Sequence, residues 1–239
     1  MKAARAYAWS EFRSTISRGE GLLVTFVIPI GVLVFFSQFR AAGLKKRPIS
    51  YLLPGTIALA LIAAAFVSLS IATAFERRYG VLKRLGATPL GRSGVVLGKI
   101  AATVAILLVQ ITVQVGVGAW LGWSWHGNLA EVLVVLVLGT LAFGSLGLWM
   151  AGTIRAEGTL ALSNLGFLVA LLFGGIAYPV ADLPRVIQRV TEFLPAAPLT
   201  DGLRAGMNGK ALDWSGVAVL AGWACIAMFA AVTRFRWEE

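Results

Sequence analysis

The segment FERRYGVLKRLGATPL, residues 75–90, separates two long apolar runs of the chain. Its charged residues are one acid and four cations, namely Glu76, Arg77, Arg78, Lys83 and Arg84. Its larger apolar residues recur at the spacing of one helix face, at Phe75, Tyr79, Leu82 and Leu85. This pattern predicts a short charged helix that is presented to a partner. The alternative is that the cations only fix the orientation of the neighbouring membrane spans.

The composition is that of an integral membrane protein. Of the 239 residues, 58% are hydrophobic and 13% are charged, whereas soluble domains average about 45–50% apolar and about 25% charged residues. The chain has one cysteine, Cys225, and one histidine, His126, so we expect no disulfide framework and no cysteine or histidine metal site. The net charge of +10 is interpreted as topology signals and contacts to anionic lipid, not as a nucleic-acid surface.

Six stretches are long and apolar enough to span a membrane, which takes about 20 residues: 21–39, 52–75, 95–121, 129–154, 159–178 and 215–233. The predicted fold class is an all-α polytopic membrane protein, with a single transmembrane domain over residues 1–239. Residues 1–20 place Trp9, Phe12 and Ile16 on one helical stripe, which predicts an amphipathic helix in the membrane interface. A frayed basic terminus is the alternative.

Six spans place both termini on one side of the membrane, and the distribution of Lys and Arg favours the cytoplasmic side. The cations of the first outer loop depart from this rule, and the sequence assigns them no role: Arg40, Lys45, Lys46 and Arg47. Residues 179–210 are too apolar for a simple loop. They predict two short amphipathic helices that lie at the outer interface or dip back into the bilayer, the first beginning near Pro184 and the second covering Leu199–Met207.

Several kinds of chemistry are not expected. No ionisable residue lies near the middle of a predicted span, which argues against a carrier driven by protons or sodium. The stretch Gly94–Ile100 is too short between its glycines for a phosphate-binding loop and lacks its Ser or Thr, so Lys99 is interpreted as an interfacial anchor. We therefore expect no catalytic residues, no metal and no cofactor bound by this chain. Gln110, Gln114 and Asn164 either bond neighbouring helices or line a substrate path.

The segment Glu76–Leu90, followed by Gly98-Lys99, resembles a signature of the ABC-2 family, the membrane subunits of ATP-binding-cassette exporters. The stretch Phe173–Pro184, with the later pairs Leu194-Pro195, Pro198-Leu199 and Leu203-Arg204, resembles the second signature of that family. The nearest type is the short permease of drug-resistance systems, such as the daunorubicin exporters. Val81 stands where threonine is common in the first signature.

The resemblance implies roles for these segments. Residues 1–20 would form the connecting helix, and residues 76–92 the coupling helix that docks on a separate ATPase. The implied docking residues are Glu76, Arg77, Arg78, Tyr79, Gly80, Leu82, Lys83, Arg84, Leu85, Thr88 and Pro89. The implied external gate contains Tyr178, Pro179, Pro184, Pro195, Pro198 and Arg204.

The resemblance also implies an assembly of two permease subunits and two ATPase subunits in the bacterial inner membrane, with ATP and magnesium bound by the ATPases. The apolar spans favour a hydrophobic or amphipathic cargo, such as a drug, a natural product or a lipid. A polysaccharide exporter, a scaffold or sensor that docks a partner other than an ATPase, and a solitary importer or carrier remain alternatives.

Overall fold

The computed structural model describes residues 7–13, 27–38, 49–88, 91–176 and 184–237, and these residues form helices without strands. Helix α1 covers residues 7–13. The other helices are α2 (Ile28–Gln38), α3 (Ile49–Arg78), α4 (Val81–Gly86), α5 (Gly91–Trp120), α6 (Leu129–Thr153), α7 (Ala156–Phe173), α8 (Arg185–Phe193), α9 (Ala196–Met207) and α10 (Trp214–Arg234).

Five helices among the described residues are long and apolar enough to cross a membrane: α3, most of α5, α6, α7 and α10. They correspond to the second to sixth predicted spans. Of the first predicted span, 21–39, the described part is residues 27–38, which include the 11-residue helix α2, and the remainder lies outside the described residues. The molecule is therefore a helical membrane protein with five candidate spans in its described part.

Two spans begin at capped N-termini. The Asn128 side chain accepts a hydrogen bond from the amide of Ala130 at the start of α6, at 3.0 Å. Asp213 accepts one from the amide of Ser215 at the start of α10, also at 3.0 Å. Such caps satisfy amides that have no partner within the helix. They explain why these two spans begin within one residue of their predicted positions.

Helix α3 lies at the centre of the bundle, where it contacts α2, α5, α6, α7 and α9. Its middle is almost inaccessible to solvent, as shown by Leu53, Ile57, Leu59, Leu61 and Ile62. The helix is interrupted twice, by Pro54 and by a π-helical stretch, Ile62–Ser68. Proline removes one backbone donor, and a π-helical turn widens the backbone locally. Pro54 and most of the π-helical stretch are buried within the bundle.

Small residues allow the spans to approach each other closely. A side chain on Gly147 of α6 would come within 3.0 Å of the Phe66 carbonyl oxygen in the π-helical stretch. A side chain on Gly166 of α7 would come within 2.7 Å of the Phe66 ring. The hydroxyls of Ser70 and Ser163 join α3 to α7 through a buried 2.7 Å hydrogen bond. Close backbone approach and buried hydroxyl bonds are typical of helix packing in membranes.

The spans have two distinct ends. At one end lie the C-termini of α3, α6 and α10 and the N-termini of α5 and α7. We call it the basic end because it carries exposed cations, including Arg78, Lys83, Arg84, Arg155 and Arg234. The opposite end holds the short helices α8 and α9. Residues 7–13 and 234–237 both lie at the basic end.

Candidate functional site

The predicted coupling helix over residues 76–92 is divided in the structure. Helix α3 runs on to Arg78, the chain turns at Gly80, and α4 then covers only Val81–Gly86 before α5 begins at Gly91. The break follows from Gly80, whose φ of +68° is left-handed and therefore suits glycine. Within the predicted segment, Glu76, Arg77 and Arg78 therefore belong to the end of a span.

Three predicted docking residues point into the chain's own fold. Arg77 is only 4% exposed and donates a hydrogen bond of 2.5 Å to the carbonyl oxygen of Ile154, in the turn between α6 and α7. Glu76 forms an ion pair with Lys99 of α5, at 2.6 Å. Leu82 of α4 is 1% exposed. Their contacts hold the segment against the spans of this chain.

The other residues of the segment form a surface at the basic end. We call it the coupling surface and define it by Arg78, Tyr79, Lys83 and Arg84, all of which are exposed. The Tyr79 ring is 63% exposed, and the Arg84 guanidinium lies 3.4 Å from the Tyr79 carbonyl oxygen. Thr88 is exposed beside them, Gly80 and Leu85 are half-buried, and Pro89 lies outside the described residues. The surface combines cations with an aromatic ring.

The predicted substrate-path residues do not come together. Gln110 and Gln114, on α5, are each 1% exposed, whereas Asn164 is exposed on α7. Helix α5 packs on α2, α3 and α4, while α7 packs on α3, α6 and α9. The two glutamines therefore lie inside the bundle of this chain, and Asn164 faces its surroundings.

Arg204 joins three elements at the opposite end. From α9, its guanidinium donates to the Tyr51 carbonyl oxygen at 3.3 Å and to the Gly175 carbonyl oxygen at 2.5 Å, and it stacks 3.8 Å from the centre of the Tyr51 ring. The Tyr51 hydroxyl donates to the same Gly175 oxygen at 3.1 Å. The arginine thus ties α9 to the start of α3 and to the end of α7.

The predicted prolines mark the ends of the short helices. Pro184 and Pro195 immediately precede α8 and α9, respectively. Pro198 lies in the first turn of α9, where proline costs little because its amide would have no helical partner. The second helix therefore begins at Ala196 and not at Leu199. Tyr178 and Pro179 lie outside the described residues.

The sequence did not predict the hydrogen bond of Asn208 or the ion pairs of Lys99. Pro54 removes the donor that would bond the Ser50 carbonyl oxygen within α3, and the Asn208 amide donates to that oxygen instead, at 3.0 Å. Lys99 is not an interfacial anchor, since its side chain is 3% exposed and pairs with Glu11 and Glu76. A proline within an apolar run and a lysine four residues after the start of a predicted span were the available signals.

Comparisons with known proteins identify relatives that are named as ABC transporters and permeases. ABC transporter G family member 20 of Dictyostelium discoideum is 30% identical over 197 residues, which cover 79% of this chain and 27% of that protein. Linearmycin resistance permease protein LnrN of Bacillus subtilis (strain 168) is 30% identical over 129 residues, 53% of this chain and 33% of that protein. Probable multidrug ABC transporter permease YbhR of Escherichia coli (strain K12) is 24% identical over 153 residues, 63% of this chain and 42% of that protein.

This chain spans less than half the length of each of these three relatives. The family model described as ABC-2 type transporter matches residues 2–208. That match includes both signature regions, the coupling surface and the helices α8 and α9. The chain belongs to the ABC-2 type transporter family.

Proposed function

We propose that this chain is the permease subunit of an ABC exporter in a bacterial inner membrane. Two copies of a separate ATPase would supply the energy, with ATP and magnesium bound to them, and a second permease subunit would complete the membrane part. The cargo would be hydrophobic or amphipathic, such as a drug, a natural product or a lipid. Membership of the family supports the proposed transport function. The coupling surface supports the proposed site at which the ATPase docks.

The observation that carries the proposal is the composition and exposure of the coupling surface. Arg78 and Tyr79 are exposed at the end of the central span, and Lys83 and Arg84 are exposed on the short helix α4 that follows. A tyrosine with neighbouring arginines is a common centre of a protein interface. Cations at the rim favour a partner with an acidic surface and increase its rate of association.

The connection to the spans supports transmission of movement. Arg77 ties the base of the coupling segment to the turn between α6 and α7 through Ile154. Arg78 also pairs with Glu157 in the first turn of α7. A force applied to the coupling surface would therefore act on α3, α6 and α7 together.

The orientation follows from the same surface. An ATPase works in the cytoplasm, so the basic end would face it, in agreement with the positive-inside rule. Residues 1–20 would then form the connecting helix at the inner interface. The helices α8 and α9 would lie at the outer interface, where Arg204 would hold the external gate closed through its contacts with Tyr51 and Gly175.

The cargo path would lie on the outside of this subunit, towards its partner permease. Asn164 is the exposed one of the three candidate polar residues, on a helix that otherwise presents apolar side chains such as Leu165 and Leu168. Gln110 and Gln114 are buried and fit the alternative role of helix contacts.

The substitution Arg84→Glu tests the docking role. Arg84 is exposed and lies on α4, so its reversal changes the charge of the coupling surface without removing a buried contact. We expect about 10-fold weaker binding of the ABC ATPase that is proposed as the partner, because a rim charge of the wrong sign is repelled by the partner. Binding is measured with both purified subunits, together with the ATPase rate that the permease stimulates.

The matched control is Arg234→Glu, an exposed arginine at the same end of the bundle but outside the coupling surface. It changes the net charge by the same amount and should leave binding unchanged. Equal losses in both variants would show that only the total charge matters. An unaltered affinity in Arg84→Glu would count against docking at this surface.

A further inference from the structure

A buried ionic cluster joins three helices beneath the coupling surface. The Lys99 ammonium of α5 lies 2.6 Å from a Glu76 carboxylate oxygen of α3 and 3.3 Å from a Glu11 carboxylate oxygen of α1. The Lys99 side chain is 3% exposed, and those of Glu76 and Glu11 are 17% and 19% exposed. Residues far apart in the chain thus meet at one lysine.

Helix α1 packs closely against α5 beside the ionic cluster. The Tyr7 ring covers Gly98, where any side chain would meet the ring within 2.4 Å, so the glycine beside Lys99 is needed for the contact. The Tyr7 hydroxyl donates to the Glu11 carboxylate. Burial, helped by Glu11, raises the pKa of the Tyr7 phenol, which keeps the phenol protonated as a donor. The α1 side of the cluster is therefore ordered by several contacts.

The packing beside the cluster is open. A small cleft separates α3 from α5 there, lined mainly by small side chains that include Ala64, Ser68, Ala72, Ala102 and Thr103. Small residues leave few apolar contacts across the gap, so the ion pairs supply much of the connection between these helices at this end. The ion pairs of Lys99 therefore connect these helices across the cleft, and we call this connection the tether.

Lys99 is the cation that two carboxylates of this cluster share. Two carboxylates converge on one ammonium, so removal of Lys99 would leave two mostly buried like charges beside each other. Breaking a buried ion pair by removing one partner is strongly unfavourable, unlike the loss of an exposed pair. The Arg78–Glu157 pair is of the exposed kind, with side chains 43% and 63% accessible.

We propose that Lys99 is a positioning residue that makes α1, the end of α3 and the start of α5 move as one unit when the coupling surface is displaced. Glu76 is only two residues before Arg78 of that surface, so a movement of the surface reaches the cluster directly. This inference rests on the proposed docking of an ATPase. Lys99 itself does not contact the ATPase, and its loss would uncouple hydrolysis from the spans without weakening docking.

The experiment measures two quantities on the full chain with the ABC ATPase proposed as its partner: the maximal stimulation of ATP hydrolysis and the permease concentration that gives half of it. For Lys99→Met we expect the maximal stimulation to fall by at least about 10-fold, because the tether is lost. The half-maximal concentration should stay within about 2-fold, since the coupling surface is intact. Lys99→Arg should keep most of the stimulation.

A second variant and a compensating double exchange distinguish the loss of the ion pairs from misfolding. Glu11→Gln removes only the link to α1 and should lower the stimulation at unchanged half-maximal concentration. The double exchange Lys99→Glu with Glu76→Lys keeps the number of charges of each sign and should regain stimulation relative to Lys99→Glu alone. A positioning role is overturned if Lys99→Met and Glu11→Gln both stimulate normally, or if stimulation and affinity fall in parallel.

Amide hydrogen exchange of the permease alone separates this inference from the proposed function. Loss of the tether in Lys99→Met should speed exchange in residues 7–13 and 76–79 together, with or without an ATPase. Unchanged exchange in both segments would overturn the tether even if the ATPase docks. A wild-type chain that neither binds nor stimulates the ATPase would instead contradict the proposed function.

Discussion

Arg77 and Arg78 are neighbours in the chain but have different environments. Arg77 is buried and donates to the Ile154 carbonyl oxygen, whereas Arg78 is exposed and pairs with Glu157. A hydrogen bond from a charged donor contributes about 1.5–3 kcal/mol, and an exposed ion pair contributes about 0–1 kcal/mol. The first arginine is thus structural, and the second belongs to the coupling surface.

This difference predicts the effects of two equivalent substitutions. Arg77→Met should lower the free energy of unfolding by about 1.5–3 kcal/mol, because the Ile154 carbonyl oxygen loses its charged donor. Arg78→Met, the matched control, should change it by less than about 1 kcal/mol. The measurement is equilibrium unfolding of the purified chain in detergent. Equal effects of the two substitutions would contradict the burial of Arg77.

At the level of the helices, α6 packs on α3 through glycines that differ in their surroundings. A side chain on Gly147 would lie 3.0 Å from the Phe66 carbonyl oxygen and 3.2 Å from that of Ala65. A side chain on Gly144 would meet only the Leu69 side chain, at 3.9 Å. The first position therefore requires glycine for close approach, and the second does not.

Gly147→Ala should destabilise the chain by about 1–3 kcal/mol, because the added methyl group forces the two backbones apart. Gly144→Ala should be neutral or stabilising by up to about 1 kcal/mol, since alanine is the better helix former. Thermal unfolding in detergent compares the two variants with the parent chain. A tolerated Gly147→Ala would mean that α6 and α3 do not pack as closely as described.

Helix α9 is attached to α3 where Pro54 interrupts the hydrogen bonding of α3. The Asn208 side chain replaces the missing donor to Ser50, so the two residues should be energetically coupled. Asn208→Leu should cost about 1 kcal/mol in the parent chain. In a Pro54→Ala background, whose own amide can bond Ser50, the same substitution should cost measurably less.

A double-mutant cycle in detergent measures this coupling. The four chains are the parent, Pro54→Ala, Asn208→Leu and the double variant, each followed by equilibrium unfolding. Additive effects of the two substitutions would show that Asn208 does not compensate for the proline.

Several helices could be predicted from local features of the sequence. Contacts between residues far apart in the chain could not. Helix α6 covers 129–153 against a prediction of 129–154, because Asn128 caps its start and the apolar run is continuous. The division of residues 76–92 depends on the conformation of Gly80. The pairing of Lys99 with Glu11 and Glu76 joins positions up to 88 residues apart, which no local pattern records.

For the whole molecule, the described spans connect a basic end to an end covered by α8 and α9. The coupling surface lies at the first end, and the Arg204 contacts lie at the second. The central helix α3 reaches both, from Tyr51 beside Arg204 to Arg78 of the coupling surface. A displacement of the coupling surface would therefore be transmitted to the proposed gate through α3. This helix is irregular at two places, Pro54 and the π-helical stretch.

The central claim, that the coupling surface binds an ATPase, is tested most directly by site-specific photocrosslinking. A photoreactive phenylalanine analogue replaces Tyr79, which is 63% exposed on the coupling surface, or, as a matched control, Trp214, which is 69% exposed at the opposite end. With the ABC ATPase proposed as the partner, we predict a crosslinked product from position 79 and none from position 214. A crosslink from position 214 with none from position 79 would contradict the account.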